Sequence, residues 1–140
     1  MLLAGALARR SDNTVWGWNF TGNFSGVLPR LGLPAPTGPL TALVAGPDHV
    51  VALRGGQVIT WGSNQFGQLG IDDPGDRVPL SDPVVAIGGT VGIGSGSDHG
   101  LATDANGDVW AWGRNVPYQL GDETTTQRNA SIRVPGINLH

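Results

Sequence analysis

The sequence contains no cysteine and no lysine, a single glutamate (Glu123) and a single methionine, at position 1. Without cysteine, disulfides, thiolate catalysis and cysteine-ligated zinc are excluded together. Eight arginines face eleven acidic residues, for a net charge of −3, and Arg9-Arg10 is the only basic pair. Gripping nucleic acid independently of sequence takes a basic stripe, so no nucleic-acid partner is expected. No apolar run approaches the roughly 20 residues of a membrane span, and no membrane partner is expected either. Residues 1–8 are apolar, but the arginine pair follows them, the wrong order for a signal peptide. Straight-chain helix formers are scarce, while 23 Gly and 10 Pro interrupt 140 residues. Both residue types break helix interiors, so the composition is that of an all-β chain. A hydrophobic content of 39% with five Trp is enough apolar surface to offset chain entropy and argues against disorder.

What the chain does contain is a repeat. Val15-Trp16-Gly17-Trp18 aligns with Val58-Ile59-Thr60-Trp61 and with Val109-Trp110-Ala111-Trp112. The final Trp recurs after 43 residues and again after 51. Each segment follows a turn signal (Ser11-Asp12-Asn13, Gly55-Gly56, Ala105-Asn106-Gly107), and each turn follows a short apolar run. Glycine supplies the positive φ that hairpin turns need, and β-branched and aromatic residues suit a half-buried strand. Antiparallel hairpins are therefore predicted over 5–18, 50–61 and 100–112. Further strands are predicted from the apolar runs at 41–45, 84–87 and 91–93. Four short strands in a period near 50 residues point to propeller blades. At that period the 140 residues hold fewer than three units, placed near 1–40, 41–90 and 91–140, and form a single partial propeller.

Around the second and third Trp segments the residues become specific. Gly46-Pro47-Asp48-His49 and Gly96-Ser97-Asp98-His99 lead into the first strand of each hairpin. Trp61-Gly62-Ser63-Asn64 and Trp112-Gly113-Arg114-Asn115 close it. Gly67-Gln68-Leu69-Gly70 follows in one unit, and Gln119-Leu120-Gly121 in the other, with Tyr118 in the place of Gly67. This pattern resembles the repeat of the regulator of chromosome condensation family. The first unit departs from it, with Gly5 where His49 and His99 stand. The resemblance implies four-stranded antiparallel blades of a larger, seven-bladed propeller. It also implies an interaction module, because the family's founding member is an exchange factor for a nuclear GTPase while other members bind proteins. Kelch repeats share the period, but here the glycine doublets Gly55-Gly56 and Gly88-Gly89 fall at different repeat positions.

Catalytic and metal-binding readings are weak. Asp48-His49 and Asp98-His99 suggest a carboxylate-supported imidazole, yet a residue recurring once per unit marks a scaffold position. Ser95, Ser97, Asp98 and His99 are neighbours in an extended chain, whose side chains alternate between faces and cannot converge as a triad. The acidic run at 72–76 has turn chemistry and matches no calcium loop. Three glycosylation sequons, at Asn19, Asn23 and Asn129, matter only in a secretory setting. No cofactor is expected. Structural roles in the repeat motif are assigned to His49, Trp61, Gly62, Asn64, Gly67, Gln68, Leu69, Gly70, His99, Trp112, Gly113, Asn115, Gln119, Leu120 and Gly121, with backbone and turn roles for the glycines and asparagines among them. The loop residues Gln65, Phe66, Arg77, Arg114 and Tyr118 are the candidates for contact with a protein partner, since loops on a rigid scaffold carry function. The expected role is a non-catalytic protein-interaction scaffold, with nucleotide exchange on a small GTPase or a purely structural segment as alternatives. Uncovered end faces, expected at Leu7-Ala8 and around Trp110 and Trp112, would call for missing blades or self-association.

Overall fold

A computed structural model describes residues 6–9, 11, 15–18, 40–72, 77–78 and 87–140; for 6–9, 15–18, Trp61, Arg77 and Val78 it describes the backbone only. All three expected hairpins are present. β1 (Ala6–Arg9) pairs antiparallel with β2 (Val15–Trp18). β3 (Leu40–Ala45), β4 (His49–Arg54), β5 (Gln57–Ser63) and β6 (Arg77–Val78) form a four-stranded sheet in that order. β7 (Thr90–Ser95), β8 (His99–Asp104), β9 (Asp108–Gly113) and β10 (Arg128–Asn138) form a second one with the same connectivity. The runs at 41–45 and 91–93 are strands as expected. Positions 84–86 lie outside the described residues, as do 73–76 and the segment 19–26, and Ile87 is outside any strand.

The two central hairpins turn differently for a local reason. Gly55 and Gly56 both take positive φ (54° and 76°), the two-residue turn whose twist matches its strands. At the second hairpin only Gly107 does so (φ 82°), and its amide donates to the Asp104 carbonyl at 3.0 Å. The buried Asp104 carboxylate organises this turn, accepting from the Asn106 and Asp108 amides at 2.8 and 3.1 Å and from Trp110 Nε1 at 2.9 Å. The bond from Trp110, reinforced by the two amides, holds the Asp104 carboxyl below the usual carboxylate range, although its burial pulls the other way.

Equivalent positions in the sheets follow from register. Val44 pairs with Val51 as Gly94 pairs with Leu101, and Val50 pairs with Trp61 as Gly100 pairs with Trp112. β7 lies over β3 and β4, so the second sheet covers one face of the first. Val51 and Val58, with Val44 beside them, pack there against Ile87, Ala102 and Trp112, flanked by Ile93 and Trp110. Trp112 is completely buried, and its Nε1 donates to the Gln68 carbonyl at 2.9 Å. Burying a ring of this size removes about 150–250 Å² from water, roughly 4–6 kcal/mol before chain entropy. Two glycines make room for it. A Cβ on Gly100 would stand 2.4 Å from the indole, and one on Gly70 2.7 Å.

This corrects the expectation that Trp110 and Trp112 would mark an uncovered face. Strand alternation turns both toward the preceding sheet, where Trp112 is sealed and Trp110 half-buried. The opposite face of the second sheet carries Leu101 and Val109, packed around Ala111, Leu120 and Val134. The side chains of Leu7 and Ala8 lie outside the described residues.

Candidate binding surface

Two loops and two tight turns gather at one end of the sheets. The turn before β4 is tied to the strand after it by the Ser63 amide on the Asp48 carbonyl, and its counterpart by the Arg114 amide on the Asp98 carbonyl, both at 2.9 Å. The repeat glycines serve this junction. Gly62 (φ 116°) and Gly113 (φ 102°) pass so close that a Cβ would lie 2.4 or 2.5 Å from the Asp48 or Asp98 carbonyl oxygen.

Each following loop folds around its asparagine. Asn64 Oδ1 accepts the Leu69 amide at 3.1 Å, and Asn115 Oδ1 accepts the Leu120 amide at 3.0 Å. Leu69 and Leu120 are thereby plugged beneath their loops, 0% and 1% exposed. Successive turns place Gly67 and Gly70 at positive φ (73° and 65°), and Tyr118 and Gly121 likewise (61° and 67°). Position 118 is thus as left-handed as Gly67, and the tyrosine there adopts a conformation that L side chains disfavour. The glutamines diverge because of one proline. Gln68 Oε1 accepts the Phe66 amide at 2.8 Å, whereas Pro117 has no N–H to offer, and Gln119 instead donates Nε2 to the Val116 carbonyl at 2.9 Å. Asn115 also donates to Asp122 Oδ1 at 2.8 Å, and Arg128 clamps Asp122 Oδ2 through Nε and Nη2. Burial alone would raise the Asp122 carboxyl. The bonds from Asn115, Arg128 and Thr124 outweigh it and hold that carboxyl far below its ordinary value.

The partner candidates separate into three groups. Phe66 and Arg114, from different sheets, meet directly: the guanidinium lies 4.8 Å from the ring centroid. Arg114 is also held by Asp98 at 3.2 Å, so a cation, an aromatic face and a carboxylate form one assembly. Exposed Gln65 adjoins it in sequence. Tyr118 is 61% exposed on the other loop, next to Val116 at 56%. Arg77 begins β6, opposite Ser63, and its side chain is not described. Asp98 was not among the sequence candidates. Its recurrence beside His99 drew attention to the histidine, while its actual partner comes from the strand end 16 residues on.

Ser95, His49 and Asp48 form a contact that the sequence did not reveal. Ser95 Oγ lies 3.1 Å from His49 Nε2, and His49 Nδ1 lies 3.6 Å from Asp48 Oδ1. The order imitates a nucleophile–base–acid series, but His49 is fully buried and the second distance exceeds a hydrogen bond. Ser95 Oγ also donates to the Gly96 carbonyl at 3.1 Å. The contact joins sheets rather than activating a hydroxyl. His99, the next histidine, has its pKa lowered by burial and by the neighbouring His49, with Asp98 opposing. Among the described residues no group of three His, Asp or Glu could hold a metal ion.

Residues 55–103 and 91–118 match models of the regulator of chromosome condensation (RCC1) repeat. Over 120 residues the chain is 32% identical to the ultraviolet-B receptor UVR8 of Arabidopsis thaliana, covering 78% of this chain and 27% of that protein. It is 34% identical over 93 residues to protein pim1 of Schizosaccharomyces pombe, covering 64% of this chain and 17% of that one. Over 135 residues it is 34% identical to the human E3 ubiquitin-protein ligase HERC2, covering 87% of this chain but 3% of HERC2. Among solved structures, Prp20p of Saccharomyces cerevisiae superposes with a TM-score of 0.81 at 19% identity, over 94% of this chain and 36% of Prp20p. Human WBSCR16 superposes at 0.75 and 19% identity, over 94% of this chain and 37% of its own. The chain therefore spans a minor part of the length of each of these proteins. Its four-stranded antiparallel sheets are blades of a β-propeller, of which it makes up a portion.

Proposed function

We propose that this chain, which carries repeats of the regulator of chromosome condensation family, is a non-catalytic scaffold that presents its loop end to a protein partner. Its repeat units run near 1–40, 41–90 and 91–140. The observation that carries the reading is the Arg114–Phe66 stack, which locks loops of successive blades into one platform. A cation already oriented by Asp98 and an aromatic ring loses little side-chain entropy when a partner settles on it. Gln65, Phe66 and Arg114 form the centre of this surface, with Tyr118 and Arg77 as outer contacts. Arginine and aromatic side chains are the usual anchors of protein interfaces. The structure of Prp20p was reported with its binding to Gsp1p and histones, which supports a macromolecular partner for a similar fold.

The test uses the full chain with a photo-crosslinker at Gln65, and compares it with Phe66→Ala and Arg114→Ala. One discrete protein adduct is expected, reduced at least about tenfold in both variants, while the melting temperature moves little. Adducts that persist in both variants would remove the loop end from the interface. Faster nucleotide release from a purified small GTPase on adding the chain would overturn the non-catalytic reading.

A further inference from the structure

The second blade has an open face that corresponds, position by position, to the covered face of the first. Val51, Leu53 and Val58 are at most 4% exposed beneath the second sheet; their counterparts Leu101, Thr103 and Val109 are only half-buried. Gly67 is covered by Arg128 and Asn129 of β10, and Gly70 by Trp112. At the first face the histidine is met from outside, His49 Nε2 lying against Ser95 Oγ of the next sheet. His99 occupies the matching place and has no hydroxyl opposite its Nε2 among the described residues; Nδ1 is buried without a hydrogen-bond partner in both histidines, so the two faces differ at Nε2.

Two residues on the open side are unexplained by their own blade. Gly94 replaces Val44, yet a Cβ there would meet only Leu101 Cβ at an ordinary 3.8 Å, and its φ is not left-handed. Glycine inside a strand with space around it marks the close approach of something else. With Gly92, which replaces Ala42, it opens a groove of about 290 Å³ lined by Ile93, Leu101, Ala102, Thr103 and Val109. Tyr118, in contrast, replaces Gly67 at a left-handed φ and is 61% exposed, gaining neither burial nor a hydroxyl bond. Bulk has been removed from the strand and added to the loop.

A propeller blade is covered by its neighbours, so this face takes one more sheet of the same repeat type; we propose that its relief rejects a replica of the second blade. Its occupant carries a side chain larger than Ile93 to fill the groove over Gly92 and Gly94. Opposite His99 it places a serine or threonine, and its outer strand is recessed where Arg128 and Asn129 would strike Tyr118. The same face, one blade earlier, is covered by such a sheet. The proposal goes beyond the loop-end reading and stands if that reading fails.

The test extends the full chain after His140 with a second copy of residues 87–140. On the native face this copy should stay undocked, leaving the melting temperature and the His99 imidazole resonances as in the unextended chain. On a face changed by Tyr118→Gly with Gly94→Val it should dock, raising the melting midpoint by about 5 °C or more above that of the unextended chain with the same two substitutions and moving the His99 resonances toward those of His49. If the unmodified copy docks on the native face, or fails to dock on the altered one, the proposal is overturned.

Discussion

The loops 64–70 and 115–121 carry the same asparagine brace and the same plugged leucine, but only the first is roofed by a neighbouring blade. Beneath that roof glycine is demanded twice over, by a left-handed φ and by the atoms above it. At Gly70 a Cβ would lie 2.7 Å from Trp112; at Gly121, with nearly the same φ, it would meet only Val134 Cγ1 at 3.2 Å. The backbone requirement therefore belongs to the repeat, and the steric requirement to the neighbour. Tyr118 shows the separation most plainly, since a side chain that Asn129 would exclude at position 67 is accommodated at 118.

The largest way to break this comparison is at Gly70. Gly70→Ala combines a left-handed alanine with a collision against a sealed indole, and should cost about 3 kcal/mol or more. Gly121→Ala, with the same backbone strain and a yielding valine, should cost about 1–2 kcal/mol. Urea denaturation of both variants checks the pair; equal losses would mean that Trp112 does not press on Gly70.

A smaller effect, of opposite sign, is expected at Tyr118. Tyr118→Gly relieves the left-handed strain, partly offset by the added freedom of glycine in the unfolded chain, and should stabilise by up to about 1 kcal/mol. A lower melting temperature would show that the tyrosine makes a stabilising contact.

The smallest effect is a pH dependence. Burial and His49 lower the folded pKa of His99 below its ordinary value of 6.5, so the unfolded chain binds the proton more readily. The stability this contributes is intact above about pH 6.5 and is lost as the pH falls through the unfolded and then the folded pKa. His99→Gln should flatten the stability profile between about pH 5 and 7. Asp122 acts at lower pH: its depressed folded pKa contributes stability that is present above the unfolded value near 4 and lost below it. A profile as steep in His99→Gln as in the parent would assign the slope to another group.

The sequence was most legible where chemistry is local. Turn signals and Trp strands located the β1–β2, β4–β5 and β8–β9 hairpins, and Asn64 and Asn115, which repeat in the sequence, each accept a leucine amide. The surface was legible only in its members. Phe66 and Arg114 were each candidates, but nothing in a linear chain states that residues 48 positions apart stack. Asp98 and Ser95 were weighed only together with His99, whereas Asp98 pairs with Arg114 and Ser95 Oγ meets His49 of the other sheet.

The β4–β5 and β8–β9 hairpins and their glycine turns rest on local chemistry, on bonds or torsions within a few residues and on the register that a turn sets. Packing settled the rest: the pairing of β6 and β10 across longer connections, which face of each sheet is covered, which glycine is crowded and which histidine finds a hydroxyl. Alternation along a strand gives every sheet two faces of comparable apolarity, and the choice between them is made by the sheet that packs alongside. That is why Trp112 lies sealed against Gly70 and Gln68, while Leu101 and Val109 remain half-open beside Gly94.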